Sequence, residues 1–228
     1  MKISEVFDLD GKIKGNLYFC SDLHYNHANV IRFGNRNFDT VEEMNDSITR
    51  ELMSKLKPDD ILFTLGDDFW RVREADIAKY IDALPTKNLY KIMGNHDKYG
   101  YYWCGKLKDK YKMLADLIDI QVKYKGKTYF VNLSHYPIYD FNKMYHGGIH
   151  LFGHVHGNLD SELYKNPRLM VDVGYDGMLA KSVGSFLISF KDIIEFFDRK
   201  TGGLDYDTWG RRNYSSTVDG YGEDGQEG

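Results

Sequence analysis

A chain of 228 residues that is 42% hydrophobic and 15% aromatic holds enough apolar material for one sizeable core and is too aromatic for wholesale disorder. No apolar run approaches the roughly 18 residues of a membrane span. Cys20 and Cys104 offer no disulfide framework, and the start Met1-Lys2-Ile3-Ser4-Glu5 lacks the pattern of a signal peptide, so the expected setting is a reducing cytoplasm without a membrane partner. The formal charge of −4 belongs to the last ten residues, where Asp219, Glu223, Asp224 and Glu227 meet no Lys or Arg. The remaining body is neutral, which argues against long duplex nucleic acid as a partner and leaves a short nucleotide open.

In chain order, the apolar run Asn16–Cys20 reads as a strand. Thr40 followed by Glu43 fits a capping box for a helix carrying Met44, Ile48, Leu52 and Leu56 on one face and stopping before Pro58. A second strand spans Asp60–Leu65 and breaks at Gly66, a helix runs from Val72 to Leu84 before Pro85, and a third strand, Asn88–Met93, breaks at Gly94. Residues 106–118 read as a helix with Leu107, Tyr111, Leu114 and Ile118 on one face, its run of Lys106, Lys108, Lys110 and Lys112 being a solvated surface. Two strands around Lys125-Gly126 form a hairpin ending near Leu133. Further strands are expected at Ile149–Phe152, Leu169–Val173 and Ser182–Ser189, then a helix at Lys191–Arg199. From Thr201 the chain has seven glycines in 28 residues and little periodicity, so 1–200 is expected to be one domain and 201–228 a flexible, acidic, Gly-rich tail. Strand–helix alternation giving way to antiparallel strands indicates a layered α/β sandwich, in which ligands sit on the loops beyond strand ends.

Those loops carry the chemistry. Strand one ends in Asp22-Leu23-His24, strand two in Gly66-Asp67-Asp68 and strand three in Gly94-Asn95-His96-Asp97. The hairpin is followed by His135, and the strand after it by Gly153-His154-Val155-His156. Carboxylates and imidazoles two residues apart in extended chain point the same way and can converge on an ion. Taken singly, each piece is equally at home as a turn, a helix cap or an exposed histidine. Five successive strand ends delivering Asp, Asn or His to one sheet edge are not matched by that bland reading.

In this order the motifs Asp-x-His, Gly-Asp, Gly-Asn-His-Asp, His and Gly-His-x-His resemble those of the calcineurin-like metallophosphoesterases, over about residues 16–195, and Ser21–His27 with Leu65-Gly66-Asp67 is similar to small prokaryotic and phage-type members. The resemblance implies an α-β-β-α sandwich of two mixed sheets flanked by helices, with an active site on strand-end loops. It implies two divalent ions, Asp22, His24, Asp67 and His156 holding one and Asp67, Asn95, His135 and His154 the other. Mn²⁺ leads for that ligand set, with Fe, Zn²⁺, Ni²⁺ or Co²⁺ also compatible. It further implies hydrolysis of phosphodiester or small nucleotide phosphate bonds by a hydroxide bridging the ions, with His96 as proton donor, in the cytoplasm of a bacterium or of a phage-infected host. The ions, two ligand carboxylates and that hydroxide leave a net positive centre for an anionic substrate. A phosphomonoesterase is the alternative, and a metal-free interaction scaffold is opposed by the presence of all seven ligand residues.

Relatives with Gly-Asp-x-x-Asp use the second Asp to orient the catalytic His, but here that place is Trp70. Asp97 or Asp68 is then left to orient His96, or His96 works unassisted, and slower, more leaving-group-dependent turnover is expected. His27 is a candidate for substrate phosphate or simply a helix-start residue. Arg36, in Asn35-Arg36-Asn37-Phe38, is similar to an Arg-Pro-Phe stretch of the family and is a candidate phosphate contact or a solvated arginine. Trp70, Tyr25, Tyr136 and Tyr139 lie beside motif residues, placed to stack a base or to fill core. His146 and His150 match no motif.

Overall fold

The computed structural model describes residues 6–97 and 107–218. Two five-stranded mixed sheets face each other. The first is built from β1 (Val6–Asp8), β6 (Leu117–Tyr124), β7 (Lys127–Ser134), β8 (Ile149–Phe152) and β9 (Met170–Asp172), in that order. The second has the order β10 (Ile188–Ser189), β2 (Leu17–Cys20), β3 (Ile61–Thr64), β4 (Asn88–Ile92) and β5 (Met113–Ala115). β2, β3 and β4 run parallel and in register, Leu17 opposite Ile61 and Ile61 opposite Asn88, so their ends arrive at one edge together. β7, β8 and β9 are likewise parallel and deliver their ends as a second set.

Alternation along the strands sorts the residues into layers. Leu17, Phe19, Ile61, Phe63, Tyr90 and Ile92 turn inward to meet Ile120, Val131, Leu133, Ile149 and Leu151 of the opposing sheet. At the centre, Phe63 stacks between Phe19 (5.5 Å, 18°) and Tyr90 (4.6 Å, 22°), and Phe7 packs edge-on against it at 5.4 Å. Cys20, Leu62 and Leu89 turn outward to a second core beneath α2 (Val41–Lys55) and α3 (Glu74–Ala83). On the outer face of the first sheet, Phe152 and Met170 join Phe141 and Met144. Among the described residues no helix is long and apolar enough to cross a membrane.

The α-β-β-α sandwich expected from the sequence is the observed architecture. α2 starts where Thr40 accepts the Glu43 backbone N–H (3.1 Å) and buries Met44, Ile48 and Leu52. Glu43 reaches back one residue further than a capping box requires, to the N–H of Asp39 (3.0 Å). Ser189 and Asp192 form a complete capping box for α6 (Phe190–Thr201).

Three local expectations are corrected. Of the helix expected over 106–118, the described residues 107–118 make none: after a single 3₁₀ turn at Lys108–Lys110, β5 pairs in parallel with the free edge of β4 and Leu117 opens β6. Edge pairing and the alternation of Ile118, Ile120 and Val122 override the helical spacing. Ser182–Ser189 is not one strand, because helix α5 (Met178–Val183) runs into left-handed Gly184 (φ 71°) and only Ile188–Ser189 pairs. Residues 206–218 are not flexible tail but helix α7 (Tyr206–Val218), where the Trp209 indole donates to the Pro167 carbonyl (2.7 Å) and Tyr206 packs against Tyr129 and Phe197. Two aromatic anchors outweigh the local glycine content. The acidic end, 219–228, lies outside the described residues.

Candidate metal centre

The ends of β2, β3 and β4 from one sheet and of β7 and β8 from the other bring seven side chains together. Two groups of metal-ligating type result among the described residues: Asp22, His24 and His156, and Asp67, His135 and His154. Asn95 joins the second group, its Oδ1 lying 3.0 Å from both His135 Nε2 and His154 Nδ1. Asp67 Oδ2 stands between the groups, 3.9 Å from His24 Nε2 and 3.4 Å from His135 Nε2.

The backbone is distorted to do this. Asp22, His24, Asp67, His154 and His156 all have positive φ, between 51° and 72°. That region disfavours residues with a Cβ, costs on the order of 1 kcal/mol or more each, and persists where the surroundings over-determine it. Here the restraints are visible. Asp22 and His24 donate backbone N–H to the carbonyls of Gly66 and Asp67 (both 3.0 Å), and Asp22 Oδ2 accepts the His154 N–H (2.8 Å). Gly94 and Gly153 are required by close approach, since a Cβ would collide with Asp67 Oδ1 at the first and with Ser21 Oγ and Asp22 Oδ2 at the second.

The donor atoms fit cations and little else. His135 donates Nδ1–H to the Leu65 carbonyl (2.8 Å), which turns its Nε2 toward the Asn95 Oδ1 and Asp67 Oδ2 acceptors. In the other group, Asp22 Oδ1 and His24 Nε2 are buried without a hydrogen-bond partner among the described residues, 3.8 Å apart, and His156 Nε2 is 3.8 Å from the same carboxylate oxygen. Carboxylate, amide and imidazole groups crowded this closely suit added positive charge, from bound cations or from protons on the imidazoles. Charge states differ across the site: burial would lower His135, but hydrogen bonding to Asp67 and the charges of Asp22 and Asp67 outweigh it and raise it. Burial pushes His24 down to about 2, so its imidazole is neutral. Burial also raises the Asp22 carboxyl, disfavouring its charged form unless a positive charge stands beside it. Burial would raise Asp67 as well, but the hydrogen bond and charge of His135 outweigh it and hold that carboxyl below its usual range.

The remaining sequence candidates have varied places. His96 is a third exposed at the mouth, its Nε2 3.8 Å from Asp67 Oδ2 and its backbone N–H bonded to Asp67 Oδ1 (2.9 Å). Asp97 does not orient it. Fully buried, Asp97 accepts the backbone N–H of Asp67 and Gly94 and the Lys91 ammonium, each at 2.9 Å, and so locks two ligand loops together from below. Asp68 is bound by the same lysine at 2.7 Å. Trp70 occupies the orienting position instead, stacked on His27 (4.3 Å, 16°) and edge-on to His96 (4.7 Å). His27 is buried, its Nδ1 3.2 Å from His24 Nδ1, and supports that ligand from behind. Tyr25 is core, Tyr139 is exposed over the Arg168 guanidinium, and Tyr136 is exposed beside His135 and His154.

Arg36 does not reach toward a substrate. Its guanidinium is buried and fully engaged, by Asp176 (2.8 Å at both Nε and Nη2) and by the carbonyls of Leu23 and Asp22. Asp176 in turn accepts from His156 Nδ1 (2.7 Å), which leaves His156 Nε2 free for a metal. Sequence reasoning passed over Asp176. The signal was a sixth strand end, where Val173 is followed by Gly174-Tyr175-Asp176-Gly177.

A family model described as calcineurin-like phosphoesterase matches residues 15–158. The chain is 32% identical over 174 residues to the uncharacterized protein MJ1445 of Methanocaldococcus jannaschii, covering 75% of this chain and 88% of that protein. The crystal structure of AQ665, a protein of unknown function from Aquifex aeolicus, is similar with a TM-score of 0.55 and 25% identity, over 80% of this chain and 99% of the other.

Proposed function

The chain belongs to the calcineurin-like phosphoesterase family, and from that premise we propose that it is a metal-dependent phosphodiesterase acting on small phosphodiester or nucleotide substrates, with two divalent ions, Mn²⁺ foremost, in a cytoplasmic setting. One observation carries the reading: ligand-type oxygen and nitrogen atoms of Asp22, His24 and His156, and of Asp67, Asn95, His135 and His154, converge in two adjoining groups. Bound divalent ions supply Lewis acidity and lower the pKa of a bound water. The chain's own residues supply the rest. Hydrolysis breaks the bond from phosphorus to the leaving ester oxygen, which then needs a proton. His96, which stands beside Asp67 and is partly exposed, is the donor. With Trp70 in contact and no carboxylate of the described residues hydrogen-bonded to the His96 ring, that ring is oriented by packing, which fits turnover that depends on leaving-group acidity.

Metal-stripped protein is expected to lose hydrolysis of bis-p-nitrophenyl phosphate and to regain it with Mn²⁺. Asp67→Asn and His135→Ala should fold yet lose more than ~100-fold in activity, beyond the 10–100-fold typical of a ligand's outer partners. Activity retained in both variants would overturn the two-ion reading. Comparison with p-nitrophenyl phosphate tests the monoester alternative.

A further inference from the structure

Most large apolar side chains of the described residues are buried, and few are strongly exposed. Two of the exposed ones stand against the metal centre. Phe33, 57% exposed at the end of α1 (Ala28–Phe33), lies edge-on to His156 (5.3 Å, 86°) and to His24 (6.5 Å, 90°), both of the first ligand group. Tyr136, 43% exposed, lies edge-on to His154 (4.6 Å) and His135 (5.1 Å), both of the second. Each ring touches one group and not the other. They are held by different elements: Phe33 by the helix that follows β2, Tyr136 by the loop that follows β7, whose Ser134 hydroxyl donates to the Tyr136 carbonyl (2.6 Å).

Neither ring is held in place by burial in the core. From their placement we infer that Phe33 and Tyr136 are specificity-determining residues that flank the phosphate with one aromatic wall at each end of the centre. The substrate class they select is a phosphodiester whose two organic arms are planar aromatic groups, nucleobases or aryl rings. A phosphate held between the two ligand groups directs one ester arm toward each wall. A monoester has one arm and fills one wall, whereas a diester fills both. This rests on the phosphodiesterase reading above and sharpens it.

Binding and turnover separate the two ideas. Diphenyl phosphate, whose arms are unactivated, and dimethyl phosphate are titrated calorimetrically into the Mn²⁺-loaded protein. Wild type should bind diphenyl phosphate at least ~25-fold more tightly, and Phe33→Ala and Tyr136→Ala should each remove about fivefold or more of that preference, the loss expected for one ring–base stack. For bis-p-nitrophenyl phosphate both variants should raise KM, whereas for p-nitrophenyl phosphate one of them should do so alone. Phe33→Tyr and Tyr136→Phe, which keep the rings, should restore wild-type behaviour. Equal affinity for the two phosphates in wild type, or a preference that survives both alanine variants, overturns the aromatic walls even if hydrolysis is confirmed. Absence of Mn²⁺-dependent hydrolysis alongside a retained aryl preference overturns the enzyme reading and leaves the walls standing.

Discussion

His150 shows how a histidine that matches no motif differs from those that do. It sits on β8 four residues before His154, but alternation turns it into the outer core, between Phe141 and Phe152. It donates Nδ1–H to the Asn132 carbonyl (3.2 Å) and accepts the Ile138 N–H at Nε2 (3.0 Å), so both nitrogens are used and neither faces an ion. Burial lowers its pKa from 6.5 to about 4. An unfolded chain takes up this proton near pH 6.5 and the folded one resists until about pH 4. The unfolded state therefore binds more protons between those values, and the contribution to stability, complete above pH 6.5, is lost as the pH falls toward 4. The expected loss is ~3 kcal/mol. Denaturant titrations with chelator present should show a drop from pH 7 to pH 4 that is smaller by roughly that amount in His150→Gln. An equal drop in both proteins would assign the acid sensitivity elsewhere.

At the scale of elements, the junction after β8 leaves no room for a side chain. Gly153 lets the strand end pass against Ser21 and Asp22, so that the His154 N–H can reach Asp22 Oδ2. Gly153→Ala should cost about 1–3 kcal/mol from overpacking and weaken Mn²⁺ binding by ~10-fold or more by shifting Asp22. Calorimetry and a denaturant melt read the two effects separately. Unchanged metal affinity would show that the junction tolerates a methyl group. The strands that feed the centre were legible because a buried parallel strand is a short apolar run ended by Gly or a polar cluster, and β2, β3, β4 and β8 all have that form. Less legible were the elements fixed by contacts distant in sequence. β5 exists because β4 offers it an edge, and α7 exists because Tyr206 and Trp209 find Phe197 and Pro167. Residue type and spacing singled out the strand-end motifs, and the family resemblance drew the seven candidate ligand residues from them. Arg36 and Asp176, 140 positions apart, could not be paired by reading along the chain, and a left-handed backbone at five ligand residues leaves no trace in residues that are not glycine.

For the whole molecule, each ligand group draws residues from both sheets: Asp22 and His24 with His156, Asp67 and Asn95 with His135 and His154. Ions that bind only this arrangement stabilise the native state. Mn²⁺ at about 100 times its Kd should add ~2.7 kcal/mol, raising Tm by roughly 5–10 °C for a chain of this size. Chelator should reverse the shift, and Asp22→Asn should abolish most of it. A Tm indifferent to metal would mean that the two groups do not take up ions.

The central rings gain a second meaning from that arrangement. Phe19, Phe63, Tyr90 and Phe7 fill the gap between the sheets, and ring thickness fixes how far apart the layers rest. The gap between the sheets is also the gap between the donors they carry to their shared edge. The stack is therefore a ruler: chemistry at the rim inherits its tolerances from hydrocarbon in the middle, and a slip of packing too small to unfold the chain would be felt as a misfit at the ions.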